Sequence, residues 1–153
     1  MTILWRISNY VDLRGEGGLR HSSRWHTAGP RIVFLAESPA SALVETLVHL
    51  QVKEEDIPDA YTLLKISIPE NLGIVELDVS KTENWKSDVV YTRGLGDAWL
   101  RSRDSALARV PSAIIAETWN CLLNPDHPDA AEVTISSVIR DRLDKRLFGF
   151  GER

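Results

Sequence analysis

Residues 22–50 read SSRWHTAGPRIVFLAESPASALVETLVHL, and the way this stretch divides sets the fold class. Its centre, RIVFLA (31–36), is a short apolar run with β-branched residues, the pattern of a buried strand. Ser38-Pro39 then supplies a helix start, with serine as N-cap and proline at the first helical position, where its missing N–H costs nothing. The spacing predicts a helix running to about Leu50 or Gln51. On that helix Ala40, Leu43, Val44, Leu47 and Leu50 form an apolar stripe, while Ser41, Glu45 and His49, four apart, share another. Glu45 is therefore not forced into a core. It either faces solvent beside His49 or lines a cleft, and since exposed helix carboxylates are common, position alone favours solvent.

Working outward, LWRIS (4–8) reads as a first strand and YVDLRGEGGLRHSS (10–23) as a polar loop. KEEDIPDA (53–60) is an acidic turn. In YTLLKISIP (61–69), Leu64, Ile66 and Ile68 alternate with Lys65 and Ser67, as a half-buried strand requires. GIVELD (73–78) is another short strand, and YTRGLGDAWLRSR (91–103) holds a short helix with Trp99 and Leu100 turned inward. PSAIIAE (111–117) and EVTISSVI (132–139) read as closing strands, separated by the turn NPDHPD (124–129). One main helix among roughly six short strands points to an α+β fold, and a length of 153 residues to a single domain spanning 1–153.

Hydrophobic residues make up 43% and charged residues 26% of the chain, values that suit a folded globular protein. The net charge of −4 argues against nonspecific nucleic-acid binding, which needs a basic excess. The charge is unevenly placed, however. Arg6, Arg14, Arg20, Arg24 and Arg31 crowd the first 31 residues against only Asp12 and Glu16, so a local anion site is compatible with the acidic total. Cys121 is the single cysteine, which excludes an intrachain disulfide and suits a reducing compartment. The N-terminus MTILWRISNY carries no signal-peptide pattern, and no apolar run nears the roughly 20 residues of a membrane span, so a cytoplasmic location is expected.

Motifs for known chemistries are few. GEGG (15–18) and GLGDAW (94–99) lack the strand–turn–helix context of a dinucleotide fingerprint and read as turns. His21 and His26 have no identifiable third ligand, so no metal is expected. His127, between prolines and acids, reads as a loop residue, and the five tryptophans as packing.

Four segments in order carry a resemblance: WRIS (5–8), residues 22–50, TRGLGDAWL (92–100) and VPSAIIAETWNCLLNPDHPD (110–129). Together they resemble the RES domain family, named for an arginine, a glutamate and a serine, which fall here on Arg24, Glu45 and Ser112. The resemblance implies a fold like that of the diphtheria-toxin-like ADP-ribosyltransferases and a bacterial toxin that consumes NAD as substrate, by hydrolysis or phosphorolysis. It leaves open transfer of ADP-ribose to a protein, or a relic that has lost catalysis and only binds its antitoxin. The implied partner is an Xre-like helix-turn-helix antitoxin, which would carry any DNA contact.

On this reading Glu45 meets the cation that develops on the ribose as the nicotinamide bond breaks, Arg24 suits the pyrophosphate, and Ser112 orients the ribose or the amide. Arg6, Trp25 and Asn124 also match family positions and are candidate substrate contacts, although Asn124 before Pro125 is first of all a turn former. Phe34 stands where the family typically has tyrosine. It can stack but cannot donate a hydrogen bond, a function that would then pass to Tyr91 or Tyr10. His26 replaces the commoner asparagine after arginine–tryptophan and could add a pH-sensitive group near the site.

Overall fold

The computed structural model describes residues 1–50 and 53–149. The strands are β1 (Thr2–Ile7), β2 (Val33–Ala36), β3 (Ala60–Ile68), β4 (Ile74–Glu76), β5 (Leu107–Pro111), β6 (Trp119–Leu123) and β7 (Thr134–Arg142), and the helices α1 (Pro39–Leu47) and α2 (Val89–Ser102). Among the described residues these seven strands join one sheet in the order β4-β5-β6-β2-β1-β3-β7, and of its neighbouring pairs only β4 and β5 run parallel. The molecule is thus a mixed α/β domain whose few helices serve a mostly antiparallel sheet.

Alternation along the strands sorts side chains onto two faces. Val33, Leu35, Leu64, Ile66, Leu107, Cys121 and Leu123 point into one core. Ala108, Val110 and Leu122 point to the other face, where Trp25, Ile32 and the α2 residues Trp99 and Leu100 cover them. Phe34 pairs with Leu122 and Ala36 with Asn120, so these four share the second face. Burying a side chain such as Leu64 or Leu122 completely, as here, stabilises the fold by about 1.5–3 kcal/mol each.

Cys121 lies in the first core, where burial pushes its thiol up to about 12. Almost no thiolate exists at pH 8, and only the thiolate is nucleophilic. Native protein should therefore resist iodoacetamide at that pH and react once unfolded. Mass spectrometry reads the difference, and rapid labelling of the folded chain would contradict the burial.

Several expectations change. PSAIIAE is not a strand: β5 ends on Pro111, which cannot donate to a ladder, and the Ser112 hydroxyl then takes the backbone N–H groups of Ile114 and Ile115. The Ser112 N–H donates to the Thr118 carbonyl at 2.8 Å, and Glu117 sits in the left-handed region at φ 57°, so residues 112–118 close a loop between β5 and β6. The strand β6 itself was not expected. GLGDAW is no turn but the middle of α2, which at 14 residues is longer than α1 at 9, so α1 is not the one main helix.

The capping of α1 is as expected: the Ser38 side chain accepts from Ser41 N–H at 3.0 Å, with Pro39 following. The helix stops at Leu47, and 3-10 type bonds from His49 to Thr46 and Leu50 to Leu47 finish it; Gln51 lies outside the described residues. Its fully buried position is Ala42, not the expected stripe, from which Ala40 is exposed and Leu43, Val44 and Leu47 are half-buried. A small side chain at Ala42 lets the helix approach the sheet closely. Glu45, one turn on, is carried down toward the second face.

The long α2 grips residues 23–27. Thr92 Oγ1 donates to the Arg24 carbonyl and Arg93 Nε to the Ser23 carbonyl, each at 2.6 Å, while Asp97 accepts from the Thr27 N–H and hydroxyl at 2.7 Å each. Gly96 lies directly against the Trp25 carbonyl. Among the described residues no helix is long and apolar enough to cross a membrane.

Candidate active site

Glu45 does not pair with His49, which is exposed. Its Oε1 accepts from the Ser112 hydroxyl at 2.7 Å and from Asn120 Nδ2 at 3.0 Å, while no hydrogen bond to Oε2 is found among the described residues. Three elements meet at this oxygen: α1, the end of β5 and β6. The half-buried carboxylate thus has one oxygen held by two donors and one left to meet something else.

Ser112 is buried, and its hydroxyl is fully used: it donates to Glu45 and accepts from the N–H groups of Ile114 and Ile115 at 3.1 and 3.2 Å. A direct bond from Ser112 to a substrate, expected from the sequence, has no free donor or lone pair left. Its role is to tie the loop to Glu45. Ser112 and residues 115–118 also line a cleft together with Trp85, Lys86, Pro111 and Trp119. Arg24 reaches the same wall, where its Nη1 donates to the Lys86 carbonyl at 2.7 Å. Among the described residues no hydrogen bond or ion pair joins Arg24 to Glu45.

Phe34, 37% exposed, lies on the same face as Asn120 and diagonal to it in the β2–β6 pair, so its ring offers an exposed apolar surface one diagonal step from the Asn120 side chain. Arg6 Nη1 donates to the Phe34 carbonyl at 3.2 Å. Only Trp5 and Ala36 pair between β1 and β2, and the Arg6 guanidinium serves a carbonyl beyond that single pair. Burial pushes the Arg6 guanidinium below the usual arginine value, with the Asp12 charge pulling the other way, and its Nε is buried with no partner among the described residues.

Among the described residues none of the remaining candidates is hydrogen-bonded to the carboxylate. Trp25 is a core residue, 5% exposed and packed on Trp85 with ring centroids 6.1 Å apart. Asn124 does form a turn: Asp126 N–H donates to its side-chain oxygen at 3.0 Å, four residues along from Asn120. His26 is buried with both ring nitrogens bonded, one to the Ser23 hydroxyl at 2.6 Å and one to the Gly18 carbonyl at 3.1 Å, so it holds the loop while its ring lies beside that of Phe34, centroids 6.1 Å apart. The Tyr91 hydroxyl donates to the Asp78 carbonyl, and Tyr10 is 76% exposed. Among the described residues no group of three or more His, Cys, Asp or Glu is arranged to hold a metal ion.

Asn120, the second donor to Glu45, is the residue of this cluster that sequence reasoning did not single out. Its signal was a polar residue in an otherwise apolar WNCLL run, visible only once that run is taken as a strand.

Residues 3–144, nearly the whole chain, match the family model described as the RES domain. The chain belongs to the RES domain family. Among curated relatives of this RES chain, "Toxin Res" of Pseudomonas putida (strain KT2440) is 44% identical over 95% of the chain and 99% of its own length. "Prs ADP-ribosylating toxin" of Sphingobium sp. (strain YBL2) is 32% identical over 95% and 96% respectively. A chain in the crystal structure of the M. tuberculosis MbcT–MbcA toxin–antitoxin complex shares the fold, with a TM-score of 0.71 at 18% identity over 97% of this chain and 87% of that one.

Proposed function

We propose that this RES chain is the toxin of a toxin–antitoxin pair, and that it depletes NAD by cleaving the nicotinamide–ribose bond over Glu45. The observation that carries the reading is the Glu45 carboxylate, with Oε1 anchored by Ser112 and Asn120 and Oε2 unbonded among the described residues. When the glycosidic bond breaks, nicotinamide leaves with the bonding pair and positive charge develops on the ribose, as in glycoside hydrolysis. A fixed carboxylate stabilises that charge or takes a proton from a ribose hydroxyl. It is more effective for being preorganised than a solvated one.

In this reading Phe34 supplies a flat apolar surface for the nicotinamide ring, and Arg24 and Arg6 are the cations for the pyrophosphate. The toxin names of the relatives support the biological assignment, and an ADP-ribosyltransferase-like fold belongs to the same reading. The proposed partner is an Xre-like helix-turn-helix antitoxin that covers the cleft and makes the DNA contacts, both proteins acting in the bacterial cytoplasm.

Incubating antitoxin-free protein with NAD and following nicotinamide tests the reading. Release is expected, and its dependence on added phosphate separates phosphorolysis from hydrolysis. A second reading, transfer of ADP-ribose to a protein, is favoured by the name of the Sphingobium relative. It predicts slow turnover of free NAD and label on a macromolecule in cell extract. Neither nicotinamide nor labelled protein, from folded chain, would overturn both and leave an antitoxin-binding module without catalysis.

A further inference from the structure

Asn120 sits in the middle of the sheet, paired with Ala36 on one side and Val110 on the other. Its neighbours on that face, Ala36, Val110 and Leu122, are apolar. An asparagine among them costs the fold something: Oδ1 is buried with no partner among the described residues, and an unpaired buried acceptor is destabilising. Turning the amide over does not help, because it would set Oδ1 against the Glu45 carboxylate in place of Nδ2. The orientation is therefore fixed by Glu45, and the orphaned oxygen is its consequence. A residue kept for packing alone would be apolar here.

We infer that Asn120 is a positioning residue: with Ser112 it pins Oε1 of Glu45, so that Oε2 is the oxygen presented to the substrate. The two donors come from different elements, the loop after β5 and the strand β6, and converge on one atom at 2.7 and 3.0 Å. One donor leaves the carboxylate free to swing about that bond; two fix its plane. Asn120 touches no substrate in this scheme and acts only through Glu45.

The inference rests on Glu45 being the reacting carboxylate, and the test separates the two ideas. Nicotinamide release from NAD is measured for wild type, Asn120→Leu, Glu45→Gln and the double variant, with thermal melting of each. The expected result is a kcat at least tenfold lower for Asn120→Leu with KM within about twofold, because transition-state rather than ground-state contact is lost. Melting is expected at or above the wild-type temperature, since the orphaned oxygen is gone. Adding Asn120→Leu to Glu45→Gln should cost nothing further, as two residues acting as one unit are not additive. Wild-type kcat in Asn120→Leu would overturn the inference alone. A kcat loss that tracks a lower melting temperature, or that adds fully to the Glu45→Gln loss, would also overturn it by making Asn120 merely structural. Absence of release from wild type would instead remove the reaction on which it rests.

Discussion

Glu45→Gln is expected to lower nicotinamide release by about 10³-fold while leaving the fold intact, a loss of the size seen when one preorganised electrostatic group is removed from a site. Both halves of that expectation follow from the geometry. The carbonyl oxygen of the new amide can accept the same two bonds, from the Ser112 hydroxyl and from Asn120 Nδ2, so α1 stays docked on the end of β5 and on β6. What changes is the other terminal atom. The second carboxylate oxygen becomes an amide nitrogen, which carries no negative charge to offer the ribose cation and no lone pair to take a proton. Steady-state release, thermal melting and growth on induction measure the three consequences. Turnover within tenfold of wild type in a folded Glu45→Gln protein would take Glu45 out of the chemistry, and the cleft would then need another source of charge.

Much of the scaffold was legible because its signals are local. The Ser38-Pro39 cap, the β-branched run of β2, the alternation in β3 and the inward turn of Trp99 and Leu100 each depend on a few neighbouring residues. What failed was set by a side chain's competition for the backbone in one case and at long range in the other. PSAIIAE has strand composition, yet Pro111 and the Ser112 hydroxyl divert it into a loop, and β6 becomes visible only through its pairing with β2 and β5. The site divides the same way. Residue patterns alone left Glu45 on a solvent-facing stripe. The resemblance to RES domains joined it to Ser112, 67 positions away, and the fold then added Asn120, 75 positions away, which no spacing rule connects to it. The substrate contact assigned to Ser112 shows the converse: residue type suggested a free hydroxyl, and the fold spends its donor and lone pairs on Glu45 and the loop.

Gly96 shows the same principle acting on stability, and Gly96→Ala is expected to destabilise the protein by more than about 3 kcal/mol, a large value for a single methyl group. Helix propensity argues the other way, since alanine in a helix interior is favoured over glycine by about 1 kcal/mol. The position overrides it. A Cβ on Gly96 would run into the Trp25 carbonyl oxygen and lie 2.7 Å from its carbon, and neither side of that clash is a flexible side chain that can rotate away. Relief requires α2 and residues 23–27 to part by about 2 Å, which a close-packed interior resists. The bonds from Thr92 to the Arg24 carbonyl and from Arg93 to the Ser23 carbonyl, both 2.6 Å, would be broken together with the packing of Trp25 against the sheet. Arg24 would lose its place at the Lys86 wall of the cleft as well, so activity should fall alongside stability. Gly94, two residues earlier in the same helix, is the control: a Cβ there would meet nothing within 4 Å among the described residues, and Gly94→Ala should gain up to about 1 kcal/mol. Urea unfolding of the two variants gives opposite signs if the close approach at Trp25 governs how α2 docks. Equal stability of Gly96→Ala and Gly94→Ala would mean that α2 tolerates the displacement and does not fix the position of Arg24.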